Sequence, residues 1–172
     1  EDYHGDSGPI TIRRYPLEEM EPQHQAFLDT ASALGYPECP DANDPNGHGA
    51  GPQPMNKLGR LRISAAVGYL APARIRPNLQ IRSDTTVRRL LFEGRRCIGA
   101  EVQPSNVSDG DSVTQVLARL VILSAGALMS PTILMRSGVG AEAQLARLGV
   151  DTVLHAPGVG QNLSDHPALG VV

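Results

Sequence analysis

The residue types best suited to chemistry fall in three places. Ser124-Ala125-Gly126 follows directly on the apolar run from Leu117 to Leu123 and precedes a helical pattern. In open α/β sheets ligands lie in the crevice beyond the carboxyl ends of the strands, and a glycine there lets a nucleotide approach the backbone with no Cβ in the way. A tight strand-to-helix turn accounts for the same glycine equally well. The second place is Asn162-Leu163-Ser164-Asp165-His166-Pro167, where an acid stands beside an imidazole, the pairing that orients a proton carrier. Neighbours on an extended segment point to opposite faces, so two separate roles are expected rather than a direct pair. The third is Asp41, Asn43, Asp44 and Asn46, whose oxygens resemble a calcium loop. With Asp44 as first ligand the twelfth position is Met55, where a bidentate glutamate is required, and calcium is excluded.

Other arrangements fail on spacing. A dinucleotide fingerprint needs a strand, a G-x-G-x-x-G turn, a helix and an acid about 20 residues on. Gly47, Gly49 and Gly51 have no strand before them, Gly138 and Gly140 follow a helix, and Gly158 and Gly160 lack the third glycine. His4, His24, His48, His155 and His166 show no HExxH or paired spacing, so no metal site is expected. Cys39 and Cys97 stand alone with no CxxC and read as free thiols in a reducing compartment, which fits a cytoplasmic protein.

The elements that must position these residues are legible from periodicity and turn residues. Ile10 to Tyr15 alternates as a short strand does, and a helix is expected from Pro22, through Ala26, Phe27, Ala31 and Leu34 on one face, to a cap at Gly35. Residues 37 to 59 are turn chemistry with almost nothing to bury, a length that is usually functional or mobile. Ser64 to Leu70 reads as a short helix stopped by Pro72. Strands are expected over 79–82 and 85–92, then a turn at Glu93-Gly94, a return over 97–102 and a surface loop at 104–112. Leu117 to Leu123 has the character of a strand covered on both faces. Ser130-Pro131 signals a helix start, ending at Gly138; a second helix spans 142–148 up to Gly149, followed by a strand over 150–154.

Composition removes whole classes. With 18 glycines and 14 prolines, close to a fifth of the 172 residues against an average of about 12%, loops must occupy much of the chain. The excess has no three-residue period, which excludes collagen. Fifteen basic and eighteen acidic residues give a net charge of -3, and the fourteen arginines and single Lys57 are scattered. No nucleic-acid partner is expected from such a charge distribution. No apolar stretch approaches the roughly 18 residues of a membrane span. The opening residues EDYHGDSGPI are polar and acidic, unlike a signal peptide. The sequence is therefore expected to begin inside a protein or at an untargeted terminus.

Read together, the segments resemble the glucose-methanol-choline (GMC) family of flavin-dependent alcohol oxidoreductases, in its choline-dehydrogenase-like branch. The most specific match is GALMSPTILMRSGVG at 126–140, which fits the family's second signature. YHGDSGPI at 3–10, RISAAVGYLAPA at 62–73, RPNLQI at 76–81, VILSAGA at 121–127 and PGVGQNLSDHP at 157–167 agree in the family's order.

The resemblance implies an α/β to α+β fold: part of an FAD-binding Rossmann-like domain plus part of a substrate-binding domain. The expected division is a substrate-side cap portion at 1–75, an FAD-domain portion at 76–161, and a return toward the substrate side at 162–172. It implies FAD as cofactor, with Val87 offering backbone groups to the adenine and Ser124, Ala125 and Gly126 packing near the adenosine half. Asn162, Asp165 and His166 would pass close to the flavin and the substrate pocket, and residues 41–70 would cover that pocket. The family's fingerprint turn and catalytic histidine have no counterpart here. The chain thus looks like a central fragment, about a third of a full enzyme, inactive alone, with no catalytic residue of its own. Its partners would be a small-molecule alcohol and the remaining parts of the parent enzyme. Choline-oxidising relatives place a glutamate just after Asp-His-Pro, where this chain has Ala168, so choline is not the expected substrate. The competing readings are a non-catalytic binding or assembly module and an FAD-containing lyase of the same fold.

Overall fold

A computed structural model describes residues 4–5, 7–106 and 112–167. It is a mixed α/β structure whose contacts divide it into two units, 1–80 and 81–172.

In the first unit the stretch expected as a strand over 10–15 makes only one isolated bridge, Arg13 with Met55, through reciprocal 2.8 Å backbone bonds. On one side Lys57 N–H adds a bond to the Thr11 carbonyl at 3.1 Å; on the other the partner segment contains Pro54 and Pro52, which have no N–H to donate, so the pairing does not extend that way. Helix α1, Pro22–Ala33, forms as the sequence predicts, with proline at its start. Its end closes with Gly35 N–H on the Ser32 carbonyl and Tyr36 N–H on the Ala31 carbonyl, both 3.0 Å, around a left-handed Gly35 (φ +87°). Of its apolar face only Ala31 is buried; Phe27 and Leu34 stay 68% and 71% exposed, because no described residue of the unit covers them.

The long stretch 37–59 is less empty than its composition suggests. Asp41 within it is buried, and Glu38 pairs with Ala50 in a parallel bridge, with Cys39 N–H on the Ala50 carbonyl at 2.9 Å and Ala50 N–H on the Pro37 carbonyl at 3.0 Å. This explains the spacing of the glycines around Ala50. A Cβ on Gly49 would lie 2.0 Å from the Pro37 carbonyl oxygen, and one on Gly51 would lie 1.8 Å from that of Cys39. The glycines let two backbones lie side by side, with no nucleotide needed. Gly51→Ala should therefore part them, at a cost of about 1–3 kcal/mol or more, read as a lowered thermal midpoint and faster proteolysis within 37–51.

Strands β1, Lys57–Leu58, and β2, Leu61–Arg62, form a short hairpin leading to the buried Ile63. The expected helix over 64–70 is a wide π turn, Ala66–Leu70, closed by Ala71 N–H on the Ala66 carbonyl. Pro72 does not stop it: the chain continues into α2, Ala71–Ala73, and Arg74 N–H reaches the Leu70 carbonyl at 3.0 Å. A proline ring clashes with the carbonyl four residues back, and a widened turn just before it relieves that clash.

Residues 79–82, where the first unit gives way to the second, are not a strand. The sheet is β3, Thr85–Glu93, then β4, Arg96–Pro104, and β5, Thr114–Leu117, all antiparallel in that order. Leu90 faces Ala100, and the register slips between Val87 and Arg89 and again between Leu91 and Phe92. The surface loop expected at 104–112 lies partly outside the described residues. The strand expected over 117–123 ends at Leu117, and Leu120 and Ile122 are 77% and 80% exposed. A strand apolar on both faces needs neighbours at both edges. Among the described residues only the Ala118 N–H, on the Ile98 carbonyl, continues the pairing.

Helix α3 spans Gly126–Arg136 and so begins before Ser130-Pro131, which lies inside it. Ser130 acts backwards: its Oγ accepts the Ala125 N–H at 3.0 Å. The end at Gly138 is as expected. Strand β6, Val139–Gly140, pairs in parallel with β7, Leu154–His155, around helix α4, Glu142–Arg147. The strand expected over 150–154 is thus shorter and displaced. Leu90, Val102, Ile133, Val139 and Leu145 form this unit's core.

Candidate functional site

The candidate residues of the second unit are arranged by α3. Ser137, the residue just past its end, is buried, and its hydroxyl donates to the Ile133 carbonyl at 2.6 Å while accepting the Leu90 N–H of β3 at 2.7 Å. Arg136 places its guanidinium 3.4 Å from the carbonyl of Val87, three residues earlier on the same strand. Both contacts come from the carboxyl end of α3 and tie that end to β3. Val87 is thus held at the carboxyl end of α3, and Ser124, Ala125 and Gly126 stand at the helix start.

Those three residues are exposed, Gly126 has φ +85°, and nothing lies within 4 Å of the place its Cβ would occupy. The turn is held from within by Ser130 and leaves its outer side bare. The backbone at Gly126 is therefore open on that side.

The second candidate cluster lies at the other end of α3. A Cβ on Gly160 would stand 3.4 Å from Met135 Cε, and the chain then runs out through Asn162 in a left-handed conformation, φ +56°. Gly126 and Met135 are separated by about 13 Å of helix at 1.5 Å per residue, and the Met135 contact ties Gly160, two residues before Asn162, to the carboxyl end. Asp165 and His166 do meet each other, against expectation: the Asp165 carboxylate accepts the His166 N–H at 2.8 Å and lies 3.6 Å from Nδ1. Residues 161–167 are not a strand, so the alternation that would separate the two side chains does not apply. Both side chains are fully exposed. Ala168 lies outside the described residues.

Two groups were not legible in the sequence as site residues. Ser137 and Arg136 lie within the 126–140 signature, and that position was the available signal. The other is a polar cluster in the first unit. The Asp41 carboxylate, 8% exposed, meets His4 Nε2 and the Arg14 guanidinium, the latter at 2.5 Å, and accepts the Asn43 N–H at 3.0 Å. The His4 hydrogen bond, then the Asn43 N–H, then Arg14 hold this carboxyl down at about 2, against the opposing effect of burial. A second acid, Glu19, is also lowered, by a two-pronged bond to Arg13 at 2.6 and 3.0 Å on the open surface. No group of three or more His, Cys, Asp or Glu that could hold a metal occurs among the described residues, and Cys39 and Cys97 are free thiols. No helix among them is long and apolar enough to cross a membrane.

The chain is similar to proteins of known class along nearly all of its length. It is 41% identical over 166 residues to a GMC-type oxidoreductase of Rhodococcus erythropolis, covering 96% of this chain and 33% of that protein. It is 43% identical over 164 residues to the mitochondrial choline dehydrogenase of Mus musculus, covering 95% and 26%. Among solved structures, an FAD-dependent oxidoreductase from Chaetomium thermophilum superposes with a TM-score of 0.85 at 30% identity, over 95% of this chain and 28% of that one. Pyridoxine 4-oxidase from Mesorbium loti gives 0.80 at 35% identity, over 90% and 29%. The chain therefore spans between a quarter and a third of the length of these relatives. The backbone-bare turn at Gly126 and the clamp at Ser137 fall in a stretch that is part of one family pattern: residues 6–168 match the GMC oxidoreductase model, and the chain belongs to the GMC oxidoreductase family.

Proposed function

We propose that this chain is the central part of an FAD-dependent enzyme that oxidises a small-molecule alcohol, and that it is inactive alone. The observation that carries the reading is the open backbone at Gly126, at the start of α3, where a planar adenosine would meet no Cβ in its path. Val87 would offer its backbone groups to the adenine, and Ser124, Ala125 and Gly126 would pack on the adenosine half. Arg136 already satisfies the Val87 carbonyl, so adenine binding there shares or displaces that contact. Asn162, Asp165 and His166, at the far end of α3, would stand near the flavin and the substrate. FAD, when bound, supplies the hydride acceptor, flavin N5, for the alcohol carbon.

No residue of this chain is assigned the proton transfer; that role belongs to a histidine in the remaining parts of the parent enzyme. The first 75 residues would form the substrate-side cap, residues 76–161 the flavin-side portion and 162–172 the return. The two free thiols support a cytoplasmic location. With Ala168 where choline oxidisers carry glutamate, the parent should prefer uncharged alcohols, seen as a lower kcat/KM for choline than for a neutral primary alcohol.

The test is a flavin titration of the isolated 172 residues, followed by addition of alcohols to the parent protein. The isolated chain should retain no stoichiometric FAD and show negligible turnover, while the parent's flavin should bleach on reduction. Stable one-to-one FAD binding by the isolated chain, or a parent whose flavin no alcohol reduces, overturns the reading.

A further inference from the structure

We propose that Asp41 is a positioning residue, whose buried carboxylate clamps the 37–51 loop to the amino-terminal segment through His4 and Arg14 and so holds the loop in one conformation. The inference rests on the proposed function only for the loop's role over the substrate.

A loop of this length and polarity has little apolar area with which to offset its ordering entropy. It is ordered instead from one point. Both carboxylate oxygens of Asp41 are used: one meets His4 and Arg14, the other accepts the Asn43 N–H. The Asp41 carbonyl accepts the Asp44 N–H at 3.1 Å and the Cys39 thiol at 3.4 Å. Gly47 closes against the same group, its Cβ position lying 3.0 Å from the Asp41 carbonyl oxygen. From there the chain returns to the Glu38–Ala50 bridge. The contacts to His4 and Arg14 cross 37 residues in the first case, so they join segments that are distant in sequence.

Among the described residues, the charged and titratable groups meeting Asp41 are His4 and Arg14, with the Cys39 thiol on its carbonyl. The Asp44 carboxylate is turned to its own loop, accepting the Asn46 N–H at 2.8 Å. A carboxyl whose folded value lies below its unfolded one contributes above the unfolded value, and the contribution disappears as pH falls through the folded value. The clamp should therefore be closed from the ordinary carboxylate range upward and open as pH falls toward about 2.

Hydrogen exchange on the 172-residue chain tests this, comparing wild type, Asp41→Asn and Arg14→Gln, with the amides of β3 and β4 as reference. Exchange at the Cys39, Asp44 and Ala50 amides should quicken by at least about tenfold in Asp41→Asn, and in the same direction but less in Arg14→Gln, with the reference unchanged. Corrected for intrinsic rates, wild-type protection of these amides should be level down to roughly pH 4 and fall below it, a step missing in Asp41→Asn. Unchanged exchange in both variants, or the same acid step in Asp41→Asn, overturns the clamp. If Asp41→Asn loses the reference protection too, Arg14→Gln alone decides. A loosened loop with an unaltered KM for alcohol in the parent leaves the clamp standing and removes the covering role.

Discussion

Replacing Leu145 with alanine should cost the second unit about 2–5 kcal/mol. Leu145 is the one described side chain with no exposure at all, and it seals the junction of α3, α4 and β6. Its δ-carbon would lie 3.3 Å from a Cβ on Gly140, a position equally close to Met135, so no neighbour stands ready to fill the space a smaller residue leaves. Its backbone carbonyl accepts the Val150 N–H at 3.0 Å, which ties the end of α4 to the approach of β7. With only a handful of buried apolar side chains in the unit, a loss of this size is a large share of its stability. Leu148→Ala, at the residue just past α4 and 63% exposed, is the control and should change stability by no more than about 0.5 kcal/mol. Urea unfolding followed by circular dichroism checks both; a Leu145→Ala loss no greater than that of Leu148→Ala would show the packing to be wrong.

Ser137→Ala should destabilise the same unit by about 1–3 kcal/mol, although it removes only one oxygen. The hydroxyl answers the Leu90 N–H on the outer edge of β3, and Leu90 is itself buried, so the donor is left with neither protein nor ready water. The Ile133 carbonyl loses a bond as well, but it keeps the Ser137 backbone N–H at 3.1 Å and so contributes less. Exchange at the Leu90 amide should rise sharply while the β4–β5 amides change little. In the parent enzyme the same change should weaken FAD retention, since the proposed adenine edge at Val87 is held relative to α3 by this clamp and by Arg136. A variant as stable as wild type at the Leu90 amide would remove Ser137 from that role.

Where a local rule acts without competition, sequence and structure agree. Proline at the start of α1 and Gly35 beyond its end bound that helix, and Gly94 turns β3 into β4. These depend on dihedral preferences that neighbouring residues alone impose. Ser130-Pro131 shows the opposite outcome. The pair has the local signature of a helix start, but Gly126 begins the turn earlier and Ser130 is used to hold Ala125 instead. Pro72 likewise loses its stopping role once a π turn absorbs the clash.

The family pattern and the place of Gly126 just after the 117–123 run follow from residue type and spacing alone. The burial of Asp41, the clamp at Ser137 and the exposure of Leu120 and Ile122 do not, because each depends on which distant segment arrives beside it. His4 and Arg14 reach Asp41, and Leu90 reaches Ser137, only once the chain has folded back across tens of residues. Hydrogen bonds and burial at that range carry no local periodicity, and only the tertiary arrangement decides them.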